Sequence, residues 1–168
     1  MGVPITRRGV LLSGALFGAA LLIGRVIWLA PPAPGMRVLS AREASIIEAI
    51  AAVLFPPGTF SVHGGDGGTA PRLDVLLDEM LDELAADGFR YLLRAMEVGT
   101  LVARGVPFSG LPVDEAREVI DIWFSEEPAP RRMVSDSFKV LLGISFLNRP
   151  EVVAEIGWRR GCIDGDPS

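Results

Sequence analysis

A single cysteine, Cys162, and a single histidine, His63, are all the thiol and imidazole chemistry in this 168-residue chain. One thiol rules out an intrachain disulfide, a zinc knuckle and a haem-attachment motif, and a metal site of the usual His/Cys kind lacks converging ligands. Acidic residues are absent from positions 1–30, which hold Arg7, Arg8 and Arg25, leaving 13 basic against 21 acidic residues for the remainder. That acidic balance argues against a phosphate-backbone surface, which needs clustered Lys and Arg, so nucleic acid is not an expected partner. No stretch alternates polar and apolar residues long enough to make a strand. The length suits one domain with a real core.

Hydrophobic residues make up 49% of the chain, high for a soluble protein unless part of it meets membrane or a partner. Much of the excess is N-terminal. Arg7-Arg8 precede an apolar run rich in Ala, Leu and Gly over residues 10–24. This resembles a twin-arginine signal, an address read by the export machinery for cargo that crosses folded. The run continues past Arg25, and residues 9–30 together reach the length of a membrane span, so membrane contact there is a parallel reading. The expected organisation is a signal or N-terminal membrane anchor over 1–35, a helical domain over 36–160 and a polar tail over 161–168. Export to the periplasm, or to the periplasmic face of the inner membrane, follows from the address.

Helix signals then recur along the chain. Ser40 and Glu43 form a capping box ahead of a helix starting near Ala41, whose apolar stripe runs to Phe55-Pro56-Pro57-Gly58. Residues 58–70 carry Gly58, Gly64, Gly65, Gly67 and Gly68 around His63 and Asp66. Without the Lys-Ser/Thr of a P-loop, this reads as a mobile loop rather than a phosphate cradle, and His63 as an exposed loop residue rather than a base.

A second helix is expected from Pro71 to about Leu84, with Leu73, Leu77, Leu81 and Leu84 on its apolar face and Asp74, Asp78 and Asp82 on a solvated one. A break at Asp87-Gly88 starts a third helix ending near Arg104-Gly105. Gly105 to Pro112 is a turn carrying Phe108. A fourth helix holds Ala116, Val119, Ile120 and Trp123 on one face. A fifth covers about 131–147, and its second half is apolar nearly all round. The fold class is all-α, a compact bundle of five to six helices behind an N-terminal signal or anchor helix.

Taken in order, Leu39-Ser40…Glu43 with Leu54-Phe55-Pro56, Gly105-x-Pro107-Phe108-x-x-Leu111, Ala116-Arg117-Glu118…Trp123 and Phe146-Leu147-Asn148-Arg149-Pro150-Glu151-Val152…Ile156-Gly157-Trp158 form a pattern. It resembles the small-subunit family typified by gluconate 2-dehydrogenase subunit 3, over most of residues 38–158. Arg117-Glu118…Trp123-Phe124-Ser125 is also similar to a helical stretch ahead of the flavin domain in long-chain alcohol oxidases of the glucose/methanol/choline class. The resemblance implies an accessory chain without catalytic residues or cofactor of its own. Its partner would be a large FAD-dependent dehydrogenase acting on alcohol groups, and the acceptor a c-type cytochrome or quinone held elsewhere. Pro112 stands where that pattern usually has a helix-capping Ser or Thr, and the Gly-rich loop is long.

Two other classes compete. A hydrolase built on His63 and Asp66 would need a nucleophile motif that is missing. A membrane-anchored binding module for an apolar ligand would use residues 141–147 as its pocket. The accessory-subunit reading places the targeting function on Arg7 and Arg8 and the partner interface on Phe108, Leu142, Phe146, Leu147 and Trp158. The argument for the interface is that helix five is apolar on too many sides for one core, while Phe108 and Trp158 lie in turns where an aromatic commonly anchors a partner.

Overall fold

A computed structural model describes the backbone of residues 30–124 and 129–157, and side chains for 30–124 and 135–157. The chain separates after Pro31 into two units, and the helices described here belong to the second. They are α1 (Ala41–Leu54), α2 (Thr69–Met80), α3 (Glu83–Arg104), a 3-10 turn (Phe108–Gly110), α4 (Val113–Trp123), α5 (Ala129–Leu147) and α6 (Pro150–Ile156). Among the described residues there is no strand, so the all-α expectation holds for them.

Helix α1 is the axis of the domain. Its start is the expected capping box: the Ser40 hydroxyl accepts from the Glu43 amide at 3.3 Å, while the Ser40 amide donates to Glu43 Oε2 at 2.8 Å. Ile46, Ile47, Ile50 and Val53 are buried, because α2, α3, α4 and the 3-10 turn all pack around this one helix. Each such aliphatic side chain contributes about 1.5–3 kcal/mol when fully removed from water. Helix α5 lies mainly against α2, with Phe138, Leu142 and Phe146 at i, i+4 and i+8 pointing inward. Phe138 meets Phe89 at 4.8 Å between ring centroids, and Phe146 stacks on Phe55 at 4.3 Å.

Glu43 does more than cap. It is buried and also accepts from Arg94 Nε at 2.9 Å and Arg90 Nε at 3.1 Å, both from α3. A second buried carboxylate, Glu97 of α3, accepts the Ser109 amide at 2.9 Å and the Arg42 guanidinium at 2.6 Å. The two clusters fix α1, α3 and the 3-10 turn to one another, since a buried carboxylate tolerates no register that leaves it unpaired.

The break between the second and third helices falls at Leu81-Asp82, not at Asp87-Gly88. Leu81 is extended, and the Asp82 side chain accepts from the Ala85 amide at 2.7 Å as an N-cap. Helix α3 then runs unbroken through Gly88, so Leu84 opens a new helix instead of completing the face of α2. At the other end Gly105 takes φ +76° and closes α3 through its amide on Leu101 O, a conformation few side chains tolerate.

Asp74 is likewise corrected. It is not on a solvated row but buried, accepting three successive backbone amides, Arg37 at 2.7 Å, Val38 at 2.9 Å and Leu39 at 2.7 Å. The carboxylate serves as a backbone substitute for the segment leading into α1. Asp78, one turn on, is exposed and pairs with Arg37 at 2.6 Å.

Candidate partner-binding surface

The Gly-rich loop expected to be mobile is pinned by short contacts. A Cβ on Gly64 would lie 2.0 Å from the Ala51 carbonyl oxygen, so only glycine lets the loop cross the last turn of α1 this closely. The Gly64 amide bonds Phe55 O at 2.9 Å, and Thr69 Oγ1 donates back to Gly64 O at 2.9 Å. From α1, Glu48 accepts the Gly67 amide at 3.0 Å and the Ala70 amide at 2.6 Å, while Asp66 accepts the Gly68 amide at 3.0 Å. The first turn of α2, a natural place for an anion, is therefore occupied by two of the chain's own carboxylates. Burial pushes the Glu48 carboxyl above its ordinary value, with the amides of Ala70 and Gly67 opposing that push.

Arg149, buried at the start of α6, completes the clamp. Its guanidinium holds Asp66 with two prongs at 2.6 and 2.9 Å, and Nη1 also donates to the His63 carbonyl at 3.3 Å. The hydrogen bonds from Arg149 hold the Asp66 carboxyl below its usual range. His63 thus contributes its carbonyl to a structural joint, and its side chain is half-buried rather than exposed.

Beside this joint an open groove of about 510 Å³ runs between α2 and α5. It is lined by the apolar side chains of Pro71, Val75, Leu76 and Ile144 together with the charged ones of Arg72, Glu79, Arg149 and Glu151. Helix α5 continues this apolar surface outward. With Phe138, Leu142 and Phe146 turned inward, the opposite stripe Val140, Ile144 and Leu147 faces solvent at 57%, 36% and 43% exposure. The spacing i, i+4, i+7 makes it one continuous helix face.

The five interface residues expected from the sequence separate on this geometry. Phe108, Leu142 and Phe146 have no exposed surface and belong to the domain's own interior, which corrects their assignment as anchors. Phe108 is enclosed where the 3-10 turn meets α1 and α3, and Phe146 is enclosed by Phe55 and Phe60. Leu147 is exposed. Trp158, Cys162, the targeting pair Arg7 and Arg8, and all of the proposed membrane segment 9–30 except Ala30 lie outside the described residues. Val75, Val140 and Ile144 are not among the five interface residues named from the sequence, although Ile144 falls in the apolar stretch 141–147. An apolar helix alone does not say which of its sides meets the core; the inward i, i+4 run of Phe138, Leu142 and Phe146 was the usable signal.

Several described residues of the motifs that carry the family resemblance sit at joints. Glu43, capped on Ser40, binds α3, Phe55 stacks on α5, Phe108 lies buried where the 3-10 turn meets α1 and α3, and Arg149 clamps the loop. They describe a frame rather than a binding surface. Among the described residues no group of three His, Cys, Asp or Glu could hold a metal ion, and no helix is long and apolar enough to cross a membrane. No protein-family model matches the chain, and no curated protein or solved structure is significantly similar to it.

Proposed function

We propose that this chain is the small, non-catalytic subunit that accompanies a flavin-dependent dehydrogenase acting on alcohol groups into the cell envelope. FAD and the substrate would be held by the large partner, electrons would leave to a c-type cytochrome or quinone, and the export address would be supplied by Arg7 and Arg8. One observation carries the reading most: a domain with a closed core of its own keeps a continuous apolar face, Val140, Ile144 and Leu147, in water beside a groove partly lined by Pro71, Val75 and Leu76. Contiguous exposed apolar surface with a charged rim is the anatomy of a protein interface. The order of the sequence motifs behind a twin-arginine signal supplies the identity of the partner.

A second reading, a binding module for an apolar ligand, has the groove itself in its favour, since its volume falls within the range of small-molecule sites. Affinity-tagged chain recovered from the cell envelope separates the two. Co-elution of a large subunit with a flavin absorbance spectrum is expected. A chain that elutes alone, with extractable lipid or other apolar compound in the groove, would overturn the subunit reading.

A further inference from the structure

Just beyond the N-terminal apolar run, Ala33 and Gly35 form a small-x-small pair, the pattern at which a signal peptidase cuts. The bond concerned is Gly35–Met36. A protease of this kind takes its substrate extended, so that the residues one and three before the bond point the same way into the cleft. In the folded domain these residues are not extended. The Met36 amide donates to the Ala33 carbonyl at 2.9 Å, and Gly35 takes φ +83° directly after Pro34, the Pro-Gly order of a type II turn. A turn brings its first and fourth Cα atoms within about 7 Å, against about 10 Å along a strand.

Both flanks of the turn are fastened to the domain. The Ala33 amide donates to Leu39 O at 2.8 Å, and the Asp74 carboxylate accepts the amides of Arg37 at 2.7 Å, Val38 at 2.9 Å and Leu39 at 2.7 Å. Met36 and Val38 pack half-buried against the core, and Leu39 is fully buried. The four residues after the bond therefore have no free N–H for the strand pairing that a cleft offers. Cutting requires this segment to unfold first. A cargo that crosses folded brings the bond to the far side of the membrane already in this latched form. On the N-terminal side of the bond lie residues 9–30, which reach the length of a membrane span.

We infer that the Gly35–Met36 bond stays uncut after export, and that residues 1–35 remain attached as the tether of the domain to the membrane. The inference rests on the twin-arginine reading of Arg7 and Arg8 and is independent of the identity of the partner. Trypsin cuts after Arg25 and Arg37, so the peptide 26–37 reports an intact bond. Membranes washed with alkaline carbonate should yield that peptide from the full chain, whose export is read separately by its accessibility to protease added to spheroplasts. Asp74→Ala releases the three amides and should lower recovery of the peptide about tenfold, with a shorter soluble chain beginning at Met36 in its place. Inserting Ala-Ser-Ala-Ser between the exposed Pro31 and Pro32 puts an unlatched site ahead of the turn without touching the core, and should likewise free the domain from the membrane. An exported wild-type chain that begins at Met36 would overturn the inference and leave the export reading standing. An exported insertion variant that stays uncut, or an exported Asp74→Ala chain that does, would overturn the latch as the cause. A chain that protease cannot reach in spheroplasts would overturn the export reading and this inference with it.

Discussion

Arg149 grips Asp66 across 83 positions of sequence, with both carboxylate oxygens engaged at 2.6 and 2.9 Å. This pair ties the last described helix to the Gly-rich loop, and through Gly68 to the first turn of α2. A Cβ on Gly68 would sit 2.8 Å from the Arg149 guanidinium carbon, so the arginine lies directly on the loop backbone.

Arg149→Ala should therefore cost about 2–3 kcal/mol of unfolding free energy, as expected for charge-assisted hydrogen bonds to a mostly buried group. Arg149→Lys should recover little, since an ammonium cannot supply the two-pronged geometry. Urea denaturation of the three proteins checks this. The pH dependence has a defined sign. Asp66 titrates below its reference value of 3.8 in the folded chain, so its contribution is present above that value and is lost as pH falls through the lower folded one. Glu48, raised by burial, works in the opposite direction: its contribution is full below its reference value of 4.5 and is lost as pH rises through the folded one. Asp66→Asn should flatten the acid-side loss of stability, and a profile as steep as wild type would contradict the assignment.

Two acidic residues four positions apart on α2 should behave very differently. Asp74→Ala leaves three backbone amides without their acceptor and should cost about 2 kcal/mol or more. It should also expose the segment before α1 to limited proteolysis. Asp78→Ala removes an exposed ion pair with Arg37 and should cost under about 1 kcal/mol. Equal effects would refute the distinction between a buried backbone acceptor and a surface charge.

The periodicity of α1 and its capping box were legible from the residues, because Ser40 and Glu43 lie in adjacent turns and the box is a local signal. Asp74 was misread because its partners, the amides of Arg37, Val38 and Leu39, are distant in sequence and carry no side-chain signature. The same holds for Glu43 with Arg94 and for Asp66 with Arg149: pairing across elements depends on how helices pack. Asp87-Gly88 looked like a break because its composition suits one, yet Asp82 supplied the stronger local cap five residues earlier. Of the four candidate interface residues among the described ones, Leu147 is the exposed one. Phe108 is assigned outward because an aromatic in a turn is often an anchor, and Phe146 because its helix is apolar on too many sides for one core; here the 3-10 turn packs on α1 and α3, and Phe146 stacks on Phe55.

If the proposed escort role holds, replacing Arg7 and Arg8 by Lys is expected to leave both this chain and the proposed flavoprotein partner in the cytoplasm, because one address would serve two chains. Fractionation followed by immunoblotting of both subunits checks it, and undiminished export of the partner would contradict the escort role. In the assembled complex, His63→Ala should keep turnover within about a factor of three, against the two to four decades lost when a general acid or base is removed.

The most direct measurement is quantitative capture of the large subunit by tagged chain carrying Ile144→Asp or Leu147→Asp, each first shown to fold by circular dichroism. Placing a charge in the centre of an apolar interface is expected to reduce recovery of flavin at least tenfold, consistent with an anchor contribution of about 2 kcal/mol. Asp78→Ala, on an exposed ion pair away from the α5 stripe, should recover flavin at the wild-type level. Equal flavin recovery from all three variants would contradict the assigned surface, and a folded wild-type chain that captures no flavoprotein would contradict the subunit role itself.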